Sequence, residues 1–413
     1  MKKLACLLLL ILILSGCGPR KTYKTTIFVG LQTDVYTRNA YTHARERFER
    51  DHPGVGVQEL AVTGRDYYQK MQTMFAGSSE PDVMWLGMGF GDFAAKGVLE
   101  DLAPYLKKEP KGFYENLNTK ALNAYKRPEG QFGLPFGIDF QILYFNRDLF
   151  DKAGLPYPNS NWTKEDVLNA ARKLTIYEPG RKRPKVYGVV GGFHLIGFGG
   201  RTVSDDGKRS MVNSPEMVNY LNYTRDLYEK YKVAPKGGAE QLVGMSDVMM
   251  FASGRAAMAV LANYDLPALL KGTRCHWDMC AMPYMGGKEH RLWGSTAGYC
   301  MSKRSKNKQL AWELIKEYIS PAFMKEYYPA TIPSDEQCAK QMVKNDKRLP
   351  PGALKTISES MVYVYIPPRI KSIFEVENIF STSSEKFWIN EQTADQVLKD
   401  ADAKITKVLK PGD

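Results

Sequence analysis

The segment GLPFGIDFQILYFNRDLFDKAGL, residues 133–155, contains the change from strand to helix on which the predicted fold depends. Its aliphatic and aromatic residues from Ile142 to Asn146 predict a β-strand, because such side chains are enriched in strands. The residues before Ile142 predict an approach loop, and those after Asn146 predict a helix. The segment therefore predicts a β-strand followed directly by an α-helix.

The same order of strand and helix recurs on both sides of this segment. Upstream, strands are predicted at YKTTIFVGLQ, VGVQELAV and PDVMWLG, residues 23–32, 55–62 and 81–87, with helices between them. This alternation predicts an α/β fold with a mostly parallel sheet flanked by helices. Ligands of such sheets bind at the carboxyl ends of the strands, so GLQTD (30–34) and GMGFGD (87–92) are candidate site loops.

The N-terminus has the layout of a bacterial export signal. Lys2 and Lys3 precede an apolar run over residues 4–14. A membrane-spanning helix needs about 20 residues, so this run is too short to be one. The arrangement predicts that the first residues are removed during export.

The end of this signal contains a cysteine in a short motif of small residues. LSGC, residues 14–17, resembles the lipobox of bacterial lipoproteins. The resemblance implies a signal peptide over residues 1–16, a lipidated Cys17 and a polar tether over residues 17–23. It places the protein outside the cytoplasm, on the outer face of the cytoplasmic membrane or on the periplasmic side. An ordinary signal peptide that happens to end in a cysteine is the alternative.

Charge and length limit the classes of function. The chain has 413 residues and a formal net charge of +12, and loss of Lys2 and Lys3 leaves +10. Its basic residues are mixed with acidic ones except in GRKRPK (180–185), for which a solvated loop is favoured over a binding patch. Nucleic-acid-binding proteins concentrate basic residues on one face, so no nucleic-acid partner is expected. The length suffices for two or more domains.

The cysteines do not indicate a metal site or a disulfide. Extended as a strand, CHWDMC separates Cys275 from Cys280 by roughly 16 Å, which is beyond disulfide reach. A zinc site would require His290 or Cys300 to converge on them, and the spacing does not support this. We predict buried free thiols at Cys275, Cys280, Cys300 and Cys338, and no cofactor.

An ordered set of motifs over the mature chain resembles family 1 of the extracellular solute-binding proteins, the sugar-binding components of bacterial ABC importers. After the lipobox, these motifs are RFERDHPGVGV (47–57), PDVMWLG (81–87), AAKGVLEDLAPYL (94–106), the segment 133–155, NWTKEDVLNAARKLT (161–175), FASGRAAMAV (251–260), DMCAMPYMGG (278–287) and KRSKNKQLAWELIKEYIS (303–320). The tail from residue 365 to residue 388 matches only weakly. The order of the motifs, rather than any single one, is specific to the family.

The resemblance implies a two-lobed, periplasmic-binding-protein-like fold with a ligand cleft between the lobes. Lobe 1 is expected over residues 21–138 plus 286–332, and lobe 2 over residues 139–285 plus 333–413. Hinge closure over a carbohydrate and delivery to the permease subunits of an ABC transporter are the implied function. The protein is then a binding protein without enzymatic activity, tethered to the membrane by its lipid and expected to be a monomer.

Candidate ligand-binding residues follow from position relative to the family pattern. A sugar presents hydroxyl groups and flat C–H faces, so planar polar side chains and aromatic rings are suitable partners. The candidates are Gln32, Asp34, Trp85, Met88, Phe90, Asp139, Phe140, Phe193, His194, Tyr264, Trp293 and Arg369. Alternative roles are core packing for Trp85, a hydrogen bond to its own loop for His194, and bracing of the hinge for Asp139.

Two other functions stay open at this stage. A non-sugar solute such as glycerol phosphate would need a cluster of cations, for which Arg201 is the obvious candidate. An exported glycoside-acting enzyme would need a pair of carboxylates that sequence alone does not reveal. A dinucleotide site is not expected, because GMGFGD has Asp92 where the third glycine belongs.

Overall fold

The computed structural model describes residues 22–64, 66–236 and 245–410, so the predicted signal peptide and Cys17 lie outside the described residues. Its strands are β1 (Thr25–Gln32), β2 (Val55–Val62), β3 (Val83–Leu86), β4 (Lys126–Arg127), β5 (Gly130–Gln131), β6 (Leu134–Asn146), β7 (Tyr187–Val190), β8 (Ala256–Ala262), β9 (Trp277–Ala281), β10 (Leu292–Met301), β11 (Ile332–Pro333) and β12 (Val364–Tyr365).

Helices connect and cover these strands. The α-helices are α1 (Arg38–Asp51), α2 (Asp66–Ala76), α3 (Phe90–Ala95), α4 (Ala103–Leu106), α5 (Thr119–Asn123), α6 (Arg147–Ala153), α7 (Lys164–Leu174), α8 (Pro215–Tyr228), α9 (Asp247–Ala252), α10 (Leu266–Gly272), α11 (Lys308–Tyr318), α12 (Pro321–Tyr327), α13 (Glu336–Asn345), α14 (Ala353–Tyr363), α15 (Ile373–Trp388) and α16 (Ala394–Leu409). Two short 3₁₀ helices are Leu195–Phe198 and Asn263–Asp265.

Strand β6 joins two halves of one sheet. Its first part pairs antiparallel with β10, and its second part lies between β8 and β9. All of its residues except Asp139 and Gln141 are buried, which explains the nearly continuous apolar run in the sequence. The predicted approach loop is therefore wrong from Leu134 onward, because these residues already pair with β10.

The sheet has the strand order β2-β1-β3-β10-β6-β8-β7, with β9 and β11 also paired to β6 and β12 paired to β10. In the first half, β1 runs parallel to both β2 and β3, and the aromatic residues Tyr41 and Trp312 of α1 and α11 are buried in the core beside them. In the second half, β7 and β8 are parallel, and Phe150 of α6 and Val167 of α7 belong to their core.

The α/β class is confirmed, but the sheet is mixed rather than mostly parallel. Strand β10 is antiparallel to β3 and β6, and β6 is antiparallel to β8 and β9. These directions arise because β10 lies between β3 and β6 and runs opposite to both of them. Alternation of strands and helices does not specify these directions, so the sequence prediction was wrong on this point.

Local signals in the sequence agree with the structure where the chain itself determines them. Thr163 and Asp166 form the capping box at the start of α7. Cys280, Cys300 and Cys338 are buried thiols, as predicted, whereas Cys275 is only half-buried. The lobe boundaries at residues 138, 285 and 332 stay a prediction.

Candidate ligand-binding site

A cavity of about 330 Å³ lies between the two halves of the sheet. Met88, after β3, and Trp293, in β10, line it from the first half, whereas His194 and Tyr264 line it from the second. Residues 365–369 and the beginning of α15 close a third side. With Gln141 of β6, the cavity therefore collects side chains from six separate regions of the chain.

The apolar part of the cavity wall combines rings and a thioether with aliphatic side chains. The rings of His194 and Trp293 lie 5.5 Å apart with an interplanar angle of 30°. Tyr264 is 50% exposed and Met88 is 44% exposed, which is unusual for side chains of this size. Such surfaces suit the flat C–H face of a ligand.

His194 is held in one orientation by its own loop. Its Nδ1 accepts a hydrogen bond from the backbone N–H of Ile196 at 3.2 Å, and this bond caps the 3₁₀ helix Leu195–Phe198. Burial lowers the pKa of His194 to about 3, so the ring is neutral at physiological pH. The loop interaction predicted as the alternative for His194 is therefore present, and the ring still faces the cavity.

Arg369 lines the cavity but uses its guanidinium to hold the protein together. The side chain is only 7% exposed, and it donates to the carbonyl oxygens of Gly87 and Thr296. The guanidinium also lies 4.5 Å from the ring centre of Tyr125. These contacts fix the chain after β3 and the middle of β10, which carry Met88 and Trp293.

Residues 365–371 pass close to both halves of the molecule, and we call them the strap. At one end, Tyr365 belongs to β12 and donates from its hydroxyl to Asp205 at 2.5 Å. Further along, Gly91 approaches so closely that an added Cβ would be 2.1 Å from the carbonyl oxygen of Ile370. Only glycine permits this approach, and the strap is thereby held against the start of α3.

Two further polar side chains on the cavity wall are engaged with the protein. Arg201 forms an ion pair with Asp205 at 2.8 Å, and its guanidinium lies 5.6 Å from the ring centre of Tyr365. Gln141 donates from its amide to the carbonyl oxygen of Gly192 at 2.7 Å. The oxygen of that amide has no hydrogen-bond partner among the described residues, so it is available to a ligand.

Asp139 lies beside the cavity and braces three chain segments. Its carboxylate accepts hydrogen bonds from Asn263 at 3.0 Å and from Thr331 at 2.8 Å. Burial raises the pKa of Asp139 to about 6, although both hydrogen bonds favour the charged form. The predicted bracing role is thus seen, and ligand contact by Asp139 stays a prediction.

The structure brings five of the twelve candidate residues to the cavity, namely Met88, His194, Tyr264, Trp293 and Arg369. Three others, Phe90, Phe140 and Phe193, are buried in the core with at most 3% of their surface exposed. Contact of these three residues with a ligand stays a prediction, and none of them lines the cavity. The reason is that neighbouring residues of a strand or turn point to opposite sides, and the sequence does not say which side is the core.

The remaining candidates lie at the strand ends but do not line this cavity. Asp34 accepts hydrogen bonds from the backbone N–H groups of Tyr36 and Thr37 and so orders the turn before α1. Gln32 donates to the carbonyl oxygen of Gly64 at 3.4 Å. Trp85 packs against Tyr67 and Tyr68, and its buried indole N–H has no hydrogen-bond partner among the described residues. Their contact with a ligand stays a prediction.

Sequence reasoning missed the aliphatic residues of the cavity wall and five of its polar residues, Gln141, Thr202, Ser295, Tyr365 and Glu377. For Gln141 a signal existed, because it is one of three polar residues in the apolar segment 134–146. Tyr365 and Glu377 lie in the tail that matches the family weakly, and no local pattern places them in a site.

A larger cavity of about 1000 Å³ lies on the other side of the strap. Apart from the strap, it is lined mainly by α3, by α5 and by residues 127–129 and 205–207. Among the described residues, the aromatic side chains that line this larger cavity are Phe132 and Tyr365. Trp293, His194 and Tyr264 line the smaller cavity instead. The smaller cavity is therefore the candidate ligand site.

Comparison with solved structures defines a class for this fold and site. The chain is similar to an ABC substrate-binding protein of Listeria monocytogenes in complex with cycloalternan, with 26% identity and a TM-score of 0.81 over 94% of this chain and 99% of that chain. Its fold is also that of the maltose/maltodextrin-binding domain of Bdellovibrio bacteriovorus bound to maltotriose, with 17% identity and a TM-score of 0.76 over 93% and 99% of the two chains. Both are sugar-binding proteins of the two-lobed class.

Sequence comparison leads to the family. The galactooligosaccharide-binding protein of Bacillus subtilis is 21% identical over 381 residues, covering 88% of this chain and 86% of that protein. The family model of the bacterial extracellular solute-binding proteins matches residues 32–325. The chain therefore belongs to the bacterial extracellular solute-binding proteins, which confirms the family resemblance seen in the sequence. Within the described part of the chain, no helix is both long and apolar enough to cross a membrane.

Proposed function

We propose that the protein captures a saccharide in the 330 Å³ cavity and delivers it to the permease subunits of an ABC transporter. The observation that carries this proposal is the wall of Trp293, His194 and Tyr264, which presents rings beside polar side chains. Rings that face hydroxyl-binding groups suit a carbohydrate better than a uniformly apolar or uniformly charged solute. The ligands named for the Listeria, Bdellovibrio and Bacillus proteins, all saccharides, support the same class.

We further propose that capture involves closure of two lobes, residues 21–138 plus 286–332 and residues 139–285 plus 333–413. The cavity lies between the two halves of the sheet, so rotation about the connecting strands would enclose a ligand. Asp139 lies at such a connection, where it bonds to Asn263 and Thr331. The protein acts as a monomer without catalysing a reaction.

The location follows from the N-terminal sequence. We propose that lipid on Cys17 holds the protein at the cell membrane on the extracytoplasmic side, where it meets the solute and the transporter. Metabolic labelling with a radioactive fatty acid tests this proposal. We expect label on the wild-type chain and none on a Cys17→Ser variant, and equal labelling of both would contradict it.

Thermal unfolding of the full chain in a mild detergent tests the proposed function. The probes are maltotriose, mannotriose, a galactooligosaccharide and glycerol phosphate. A ligand at about 100 times its dissociation constant adds roughly 2.7 kcal/mol to the free energy of unfolding, so we expect the midpoint to rise by a few degrees with a saccharide. Release of a product during the incubation would contradict a binding role, and a shift with glycerol phosphate alone would contradict the saccharide assignment.

A matched pair of variants locates the site. Trp293→Ala is expected to reduce the saccharide-induced shift by about two thirds, because its ring lines the cavity. Tyr177→Ala removes an aromatic ring that is 45% exposed outside the cavity, and we expect it to leave the shift unchanged. Loss of the shift in both variants would place the ligand elsewhere.

A further inference from the structure

Glu377 is a carboxylate on the cavity wall without an ion-pair partner in the described part of the chain. It lies in the first turns of α15, its side chain is half-buried, and it lines the same cavity as Trp293 and Tyr264. Among residues 22–64, 66–236 and 245–410 it has neither a hydrogen bond nor an ion pair. Burial raises the pKa of Glu377, because desolvation disfavours the charged form of its carboxylate.

The other charged groups on the cavity wall are engaged with the protein itself. Within the described chain, the charged side chains that line the cavity are Arg201, Arg369 and Glu377. Arg201 is paired with Asp205, whereas Arg369 keeps its positive charge and donates to two backbone carbonyl oxygens. His194 adds no positive charge, because its pKa lies near 3. Among these three described side chains, Glu377 is therefore the one without a hydrogen-bond or ion-pair partner.

A partly desolvated carboxylate without donors is unfavourable, and a ligand that supplies donors removes this penalty. Neighbouring hydroxyl groups of a sugar can both donate to one carboxylate, and an ammonium group adds charge attraction. A phosphate or a second carboxylate brings like charge into the same partly buried space, where screening by water is weak.

On this basis, and resting on the proposed function, we propose that Glu377 receives hydrogen bonds from the ligand and restricts the site to saccharides without anionic groups. The class comprises neutral and amino-bearing saccharides. Phosphorylated sugars and uronic acids are excluded by the same carboxylate.

Isothermal titration of the full chain in a mild detergent tests this proposal with three probes that differ in charge. They are maltotriose, the trisaccharide of glucosamine and the trisaccharide of galacturonic acid. For the wild type we expect binding of at least one of the first two, and at least about tenfold weaker binding of the galacturonic acid trisaccharide. Because each probe is compared between wild type and variant, differences in sugar stereochemistry cancel.

The informative variant is Glu377→Gln, which keeps the shape and removes the charge. We expect this variant to bind the uncharged or amino-bearing probe about tenfold or more weakly than the wild type does. The ratio between its affinity for that probe and its affinity for the acidic probe should shrink by a similar factor. Glu377→Asp keeps the charge and should retain the discrimination. Glu385→Gln, an exposed position on the same helix, is the matched control and should change neither quantity. Unchanged thermal unfolding of each variant without ligand establishes that it folds.

The outcomes separate this proposal from the proposed function. Binding of the acidic probe by wild type as tightly as the others overturns charge selection while saccharide binding stands. Unaltered affinity and discrimination in Glu377→Gln overturn the role of Glu377. Absence of binding for all three probes and for the earlier saccharides overturns the proposed function itself, and this inference with it.

Discussion

The strand-end loops and the cavity wall contain similar residue types but use them differently. In the strand-end loops, Asp34 accepts bonds from its own turn, and Phe90 is in the core. On the cavity wall, Tyr264 is half exposed and Glu377 has no partner within the described residues. A side chain whose hydrogen bonds are already made within the protein has less to offer a ligand. The comparison teaches that residue type and position at a strand end do not by themselves leave a side chain with free hydrogen-bonding capacity.

Arg369 is the strongest test of this comparison, because it lines the cavity yet donates hydrogen bonds to two carbonyl oxygens of the protein. Replacement by Met would leave the carbonyl oxygens of Gly87 and Thr296 without their charged donor. We expect the free energy of unfolding to fall by about 3 kcal/mol, measured by urea denaturation. Lys371→Met, at an exposed position of the strap, is the control and should change it little. A stable Arg369→Met protein that no longer binds saccharide would instead make Arg369 a ligand residue.

Trp293 tests the cavity wall directly. Its ring is half-buried beside His194 and faces the cavity, so truncation to Ala removes contact area from the ligand. We expect affinity for the saccharide identified by thermal shift to fall by about 2 kcal/mol, measured by titration calorimetry. Retention of full affinity would show that the ligand does not use this wall.

The pH dependence of the free energy of unfolding tests the burial of Asp139. Its pKa rises from 3.8 to about 6 on folding, so between these values the folded state holds more protons than the unfolded state. The free energy of unfolding contributed by Asp139 therefore falls as pH rises through this window. For the wild type we expect this contribution to the free energy of unfolding to fall by about 1 kcal/mol across the window, a figure that allows for partial exposure of the carboxylate. The Asp139→Asn variant should lack this fall.

Urea denaturation of both proteins from about pH 4 to about pH 7 measures this difference. Asp265, whose pKa is also raised to about 6, is present in both proteins, so its contribution cancels. Parallel pH profiles for wild type and Asp139→Asn would contradict the expected titration.

Asp34 is expected to give the smallest effect. Asp34→Ala removes the acceptor for the N–H groups of Tyr36 and Thr37, and we expect a loss of stability of about 1 kcal/mol or less. Saccharide affinity should stay within a factor of about two, because these bonds are internal to the turn. A tenfold or greater loss of affinity at unchanged stability would restore Asp34 to the ligand-binding residues.

Much of the fold was predictable because its signals are local. The strand in Ile142–Asn146 and the capping box at Thr163 depend on residues close together in the chain. The direction of β10 and the start of β6 at Leu134 were not predictable, because they depend on pairing between strands about 160 residues apart. The predicted site residues include five that line the cavity, because strand ends are local features, whereas the side to which a side chain points is not local.

The sequence by itself determined the family and the α/β class. These follow from the order of motifs and from the alternation of strands and helices. Both patterns are visible in the sequence without any knowledge of packing. Only the tertiary structure decided which side chains are free for a ligand. It buried Phe140, committed Arg369 to two carbonyl oxygens and brought Glu377 to the cavity from the weakly matching tail. Hydrogen-bond satisfaction and burial are properties of the assembled chain, and no local pattern contains them.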